Sequence, residues 1–367
     1  MGFYMKKLFK NTDPALLFII VVILIIAFLS LYSVSHQPGR DLVKNYSMQQ
    51  LMWLGLTILI ALLFIKFGYE RWIDYSYLIF ALNLLVLLLV LILGDIRYGA
   101  RRWIDLGIFS LQPSELCKIS FMLALTKFVT DNSDRIKEIR TVIVSLFICM
   151  LPVALIIKQP DLGTAIAFLP IFFVVLFTAG AKIKHLLIVF MLGAGTTPLL
   201  WSMLKLYQKK RLLVFLNPNI DPLGAGYTII QSRIAVGSGG LLGKGWLSGT
   251  QNQLNFLPER HTDFIFSVIG EEWGFVGAVV LLGLFLLLIK RLLAIANTTN
   301  DDRGKVLISG IAALIWFQVF VNIGMTIGLM PVVGLPLPLI SYGGSNLLTT
   351  MIMIALAISV GLKRKVF

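Results

Sequence analysis

Apolar runs of about twenty residues recur along nearly the whole chain, separated by short charged clusters. Each run is long enough to cross a hydrocarbon core of about 30 Å as a helix. They fall at about 14–32, 49–66, 72–94, 113–130, 140–158, 162–180, 184–204, 264–290, 305–330 and 346–362, which predicts ten membrane spans. The rhythm stops once. From about 205 to 263 the sequence is polar and rich in glycine, which predicts one long loop before the eighth span.

Composition agrees with the pattern. Of 367 residues, 58% are hydrophobic and 14% charged, with a mean hydropathy of +0.89. Soluble domains carry about 25% charged residues. The expected fold is all-α: a polytopic transmembrane helical bundle forming one integral membrane domain over 1–367. Lys6, Lys7 and Lys10 precede the first apolar run as in a signal peptide. The run is too long for one, and no A-x-A cleavage site follows, so a retained first span is expected.

The net charge is +14. Basic residues sit in short clusters between apolar runs, as membrane topology requires, so no nucleic-acid partner is expected. With the N-terminus inside, the cytoplasmic segments hold eighteen Lys and Arg, and the short outer loops hold six: Arg40, Lys44, Arg97, Arg101, Arg102 and Lys158. That asymmetry predicts cytoplasmic termini and an outer position for the long loop. The loop is itself basic, with Lys205, Lys209, Lys210, Arg211, Arg233, Lys244 and Arg260 against Asp221 and Glu259. An anionic ligand at the outer surface accounts for this basicity, and so does attraction to anionic lipid headgroups. Cys117 and Cys149 lie in apolar segments, which predicts neither a disulfide nor a metal-thiolate site.

Charges inside or beside apolar runs are the chemical candidates. In FSLQPSELCKISF, Pro113 suits the first turn of a helix, and Glu115 and Lys118 share one face of it. Facing lipid, either would cost at least about 2.5–3.5 kcal/mol. They are therefore expected to face the bundle interior, paired with each other or with Asp161, either fixing helix orientation or walling a substrate cavity. YGARRWIDLG places Arg101, Arg102 and Trp103 at an outer interface, as an aromatic anchor or a two-arginine phosphate clamp. In KQPDLGT, Asp161 suits a helix N-cap. NFLPERHTDFIFSVIGEEWG gathers Glu259, Arg260, His261, Asp263, Glu271 and Glu272 where the long loop meets the membrane.

Several familiar motifs are excluded. GYTIIQSRIAVGSGGLLGKGW reads as a short amphipathic segment and a glycine-rich turn, either a phosphate-binding nest or a flexible interfacial loop. It is not a P-loop, since Ser238 and Gly245 stand where Gly and Ser or Thr are required. No D-x-D or H-E-x-x-H occurs, and His36, His185 and His261 are scattered, so a zinc site is not expected. Ser341 in LISYGGS lacks the nucleophile-elbow pattern.

Taken together, GARRWIDLG, LQPSELCKI, KQPDLGT, DPLGAGYTIIQSRIAVGSGGLLGKGW, FLPERHTDFIFSVIGEEWG and VGLPLPLISYGGSNLL resemble the SEDS family, the shape, elongation, division and sporulation proteins. The long DPLGAGY block and FLPERHTDFIF look closer to its rod-elongation members than to its division members. The resemblance covers about residues 98–350 and implies a peptidoglycan glycosyltransferase that polymerises lipid II at the outer face of the bacterial plasma membrane. It also implies a catalytic Asp263, cavity residues Arg102, Trp103, Glu115, Lys118 and Asp161, and partnership with a class B penicillin-binding transpeptidase among the elongation-machinery proteins. Trp273 and Asn346 stand where Leu and a small residue are common in the family, with no expected consequence for the chemistry.

The reaction suits these residues. It joins a sugar 4-hydroxyl to an anomeric carbon that carries a lipid pyrophosphate. One carboxylate as general base should contribute about 10²–10⁴-fold. The leaving group needs cationic stabilisation, from Arg102, Arg211 and Lys118 or from a divalent cation such as Mg²⁺ or Mn²⁺. No organic cofactor is expected. Two other readings stay open, a transporter that flips lipid II along its intramembrane charges and a non-catalytic scaffold for a penicillin-binding protein.

Overall fold

The computed structural model describes residues 13–36, 45–97, 100–105, 107, 110–196, 198, 201–202, 204 and 206–363. The assignments made above for Lys6, Lys7, Lys10, Arg40, Lys44 and Lys205 lie outside these residues. Seven described helices are long and apolar enough to cross a membrane: α1 (Pro14–Ser35), α2 (Tyr46–Phe67), α4 (Ser76–Leu93), α6 (Ile139–Lys158), α13 (Ile265–Thr298), α14 (Asp302–Thr326) and α15 (Gly344–Leu362). Between these run α3 (Tyr69–Asp74), α5 (Pro113–Asp131), α7 (Leu162–Ile166), α8 (Phe168–Thr178) and α9 (Ile183–Gly195).

Local chemistry sets several boundaries. Asp13 caps α1 by accepting from the Ala15 and Leu16 amides, with Pro14 in the first turn. Asp301 caps α14 through the Arg303 and Gly304 amides and accepts the Tyr69 hydroxyl at 2.6 Å. The run read as one span at 162–180 is two helices, α7 and α8, and among the described residues of the run at 184–204 the continuous helix is α9.

Burial orders the bundle. In α14 and α15, 83% of the most apolar window is buried within the protein, against 22% in α2 and α4. The first pair therefore forms the centre and the second lies at the periphery. α15 packs chiefly on α2, α14 on α13 and α8, and α4 on α5.

The architecture is mostly helical, and one loop departs from the all-α expectation. β1 (Asp95–Arg97), β2 (Ala100–Asp105) and β3 (Ser110–Leu111) form a three-stranded antiparallel sheet in the order β1-β2-β3. Trp103 pairs with Asp95, and Ile104 with Leu111. Strands this short carry too few alternating positions to register beside twenty-residue apolar runs.

The long loop is structured. It contains α10 (Leu206–Leu216), α11 (Ala225–Ser238) and α12 (Thr250–Gln253). α11 packs on α13, where the Ser232 hydroxyl meets that of Ser267 at 2.7 Å and donates to the Thr326 carbonyl at 2.6 Å. The glycine-rich turn is docked on α13 through its backbone. Its Lys244 and Gly245 amides donate to the Glu271 and Glu272 carbonyls, both at 3.0 Å, across a kink in α13 at Gly274. The Gly240 and Leu241 carbonyls accept from Phe275 and Val276. Backbone meets backbone here, and Gly243 has a φ of 83° with no room for a side chain: a Cβ would lie 2.1 Å from the Glu272 carbonyl oxygen. Gly243→Ala should therefore destabilise the protein by about 2 kcal/mol or more, read as a lowered melting temperature of the purified protein.

Candidate active site

Six of the seven residues singled out above line one cavity of about 460 Å³: Arg102, Trp103, Glu115, Asp161, Arg211 and Asp263. They arrive from five separate parts of the chain. β2 supplies Arg102 and Trp103, the first turn of α5 supplies Glu115, and the cap of α7 supplies Asp161. Arg211 comes from α10, and Asp263 from the segment that enters α13.

Lys118, the seventh, sits one layer behind. Its ammonium is fully buried and donates to Glu115 Oε1 at 2.7 Å, while Glu115 is 3% exposed. The expected pairing of these two charges is thus met within α5, and Lys118 reaches the cavity only through Glu115.

Asp161 caps α7 as expected, accepting the Thr164 amide at 3.2 Å and its hydroxyl at 3.0 Å. Its other contacts come from Gln112 Nε2 at 3.1 Å and Arg102 Nη1 at 3.9 Å. Arg102 also donates from Nε to the Gln159 carbonyl at 2.9 Å and from Nη2 to the Pro160 carbonyl. This fixes its guanidinium at the cavity edge. The two-arginine clamp is not formed. Adjacent residues of a strand point to opposite faces, and Arg101 is exposed, donating to the Ile92 carbonyl at 2.7 Å.

Asp263 is held through its backbone, which leaves the carboxylate to the cavity. Asn322 of α14 donates from Nδ2 to the carbonyls of Asp263 at 3.1 Å and Leu335 at 2.8 Å. The Ser341 hydroxyl donates to the Thr262 carbonyl at 2.6 Å and accepts the Leu337 amide at 2.8 Å. The Tyr342 amide donates to the His261 carbonyl at 2.9 Å. Ser341, set aside above as a nucleophile, is a brace. Behind it the Tyr46 ring stacks on His261 at 4.2 Å and meets Tyr342 edge-on at 5.0 Å.

Burial pushes the Asp263 carboxyl up to about 6. The negative charge of Glu259 adds to the rise, Arg211 opposes it, and Asp161 and Arg102 make smaller contributions of each sign. A carboxylate so placed is ionised at neutral pH yet basic enough to take a proton.

The loop's positive charges have separate employments. Lys210 pairs with Asp221 at 2.8 Å, Arg233 donates to the Gly328 carbonyl at 2.8 Å, and Lys244 meets Glu271 at 2.8 Å. Arg260 is buried. Arg211 is the member of this group that lines the cavity. Glu271 and Glu272 lie elsewhere. Glu271 also accepts from the Thr250 hydroxyl and the Gln251 amide, and Glu272 from Ser33 Oγ and Asn252 Nδ2, so the two carboxylates fasten the long loop to α13 and α1.

Among the described residues, no group of three or more His, Cys, Asp or Glu is gathered to hold a metal ion. Of the cavity carboxylates, Glu115 faces Lys118, and Asp161 faces Arg102, Gln112 and Thr164.

A family model described as cell cycle protein, FtsW/RodA/SpoVE, matches residues 14–366. The chain belongs to this family. It is 42% identical over 358 residues to peptidoglycan glycosyltransferase MrdB of Escherichia coli K12, covering 97% of this chain and 95% of that one. It is 34% identical to peptidoglycan glycosyltransferase RodA of Treponema pallidum, covering 97% and 98%. Among solved structures, the Thermus thermophilus rod shape determining protein RodA superposes with a TM-score of 0.70 at 32% identity, covering 96% and 98%. A chain from a peptidoglycan synthase complex, solved for the structural coordination of polymerization and crosslinking, gives 0.81 at 38% identity, covering 97% and 99%. The FtsW/RodA/SpoVE match contains every residue of the cavity.

Glu259, gathered above with Asp263, and Asn346 also line the cavity, whereas Gln112, Gln208 and Tyr342 line it without having been legible in the sequence. Gln112 and Gln208 are ordinary polar residues at helix ends, and only their spatial neighbours distinguish them. Gly334 was detectable only as a glycine: its φ is 74°, and a Cβ there would lie 3.4 Å from Asp263 Oδ2.

Proposed function

We infer that this chain is a peptidoglycan glycosyltransferase that polymerises lipid II, with Asp263 as the general base. The observation that carries the reading is the opening of the Asp263 carboxylate into the same cavity as the Arg102 and Arg211 guanidinium groups. The acceptor's 4-hydroxyl gives its proton to Asp263 as its oxygen bonds to the donor's anomeric carbon. The bond from that carbon to the lipid pyrophosphate breaks, and the electron pair leaves with the pyrophosphate. Arg102 and Arg211 stabilise the charge that develops there, because fixed cations in a partly desolvated site act without reorganising. Trp103 gives the sugar an apolar face, and the buried Glu115–Lys118 pair and Asp161 hold the cavity floor. A divalent cation, in this reading, enters as the counter-ion of the pyrophosphate.

α5, the pair α7–α8, and α9 complete ten passages with the seven long helices. Both termini are then cytoplasmic and the cavity opens on the extracytoplasmic side of a bacterial plasma membrane, in keeping with the distribution of Lys and Arg. The partner we propose is a class B penicillin-binding transpeptidase within the elongation machinery, a pairing of polymerisation with crosslinking.

Arg211→Ala should raise the KM for lipid II about tenfold while leaving the melting temperature unchanged, since Arg211 lines the cavity from a loop helix. An unchanged KM and rate would remove Arg211 from the site. Lipid II crossing a vesicle bilayer without polymer would instead support the transporter, and neither movement nor polymer would support the scaffold.

A further inference from the structure

One cavity residue has no place in the scheme so far. Asn346 lies in the first turn of α15, is 5% exposed and lines the cavity. Among the described residues, neither its Nδ2 nor its Oδ1 has a hydrogen-bond partner. A buried amide left unsatisfied at both ends is costly, and such groups in native proteins call for a reason.

Its surroundings are fixed and polar. Gly344, two residues before it, abuts Trp53 of α2 so closely that a Cβ would lie 1.8 Å from the indole. The Ser345 hydroxyl accepts the Gln112 amide at 3.0 Å, which ties the start of α15 to the start of α5. Glu115 lines the same cavity, and its Oε2 is also buried without a partner while its Oε1 is held by Lys118.

These atoms define what they would bind. A carboxamide offers two donors and one acceptor in one plane. A phosphate would satisfy the donors and leave Oδ1 facing an anion, with the Glu115 carboxylate repelling it further. A hydroxyl would satisfy one end. A second amide, presenting a C=O and an N–H together, satisfies both. Its oxygen is also favoured at the positive end of α15, and Glu115 Oε2 accepts a neighbouring hydroxyl.

We propose that Asn346 is a substrate-binding residue that recognises the acetamido group of an N-acetylated amino sugar, pairing Nδ2 with its carbonyl and Oδ1 with its N–H. The proposal rests on the glycosyltransferase reading and deepens it. It also revises the expectation that Asn346, standing where a small residue is common in the family, leaves the chemistry untouched: the effect falls on binding and not on the reacting atoms.

The test is steady-state polymerisation by the purified full chain on lipid II and on two analogues, each with one acetamido group replaced by a free amine. Asn346→Ala should raise the KM for lipid II about tenfold, with kcat within about twofold of wild type. On one of the two analogues, wild type and Asn346→Ala should share the same raised KM. Asn346→Asp keeps the shape but exchanges donors for acceptors in a cavity that already holds Glu115, and should raise the KM further. An unchanged KM for lipid II in both variants, or an equal penalty on all three substrates, overturns the assignment. Wild type that makes no polymer from lipid II overturns the glycosyltransferase reading itself, whereas polymer with an unaltered Asn346→Ala overturns this subsite alone.

Discussion

Asp263→Asn lowers the rate of polymer formation by about 10²–10⁴, the range that a positioned general base contributes. The variant should keep its fold. The bonds that hold this segment run to the backbone carbonyls of His261, Thr262 and Asp263, and the amide removes a charge from a desolvated site. A loss of melting temperature with the loss of rate would mean that the carboxylate is structural. The same assignment fixes a pH dependence. Burial raises the folded carboxyl to about 6 from 3.8, and the base must be ionised to act. The rate should therefore fall about tenfold per unit as pH drops below 6 and level off above it. Removing Glu259 takes away a like charge, so Glu259→Gln should move that limb to lower pH.

Lys118→Met should be among the most destabilising single changes in the chain, at about 3–5 kcal/mol. It leaves the Glu115 carboxylate, 3% exposed, without the ammonium now 2.7 Å from it. Replacing both partners is a different matter. Glu115→Leu with Lys118→Met removes both buried charges and should recover most of the loss, because an apolar pair of similar volume escapes the desolvation cost. A double-mutant cycle on melting free energies measures the coupling. If the double variant is as unstable as Lys118→Met, the pair's contribution lies in packing and not in charge. Activity should not recover with stability, since Glu115 lines the cavity.

What the sequence revealed follows from the range of the forces involved. The Glu115–Lys118 pair was legible because both charges are on one helix, three residues apart, in a zone where lipid exposure is prohibitive. The cap at Asp161 and the proline start of α5 are equally local. Which helices form the centre was not legible. α2 and α14 read as similar apolar runs, yet one lies at the periphery and the other is enclosed. Glu271 and Glu272 read as part of the charge cluster around Asp263, but their partners come from Lys244 and from Ser33 on α1. No spacing rule connects positions so distant. Arg101 and Arg102 looked like one clamp until a six-residue strand turned them to opposite faces. Asp263 itself emerged from topology as one of six candidates, and the resemblance singled it out.

The central claim is that this chain by itself joins lipid II into glycan at the Asp263 cavity. Its most direct test is gel analysis of the product made from labelled lipid II by the purified chain, with moenomycin present to silence contaminating polymerases of other families. Wild type should give moenomycin-insensitive polymer, and Asp263→Asn none above background. Equal polymer from both proteins, or none from wild type, would contradict it.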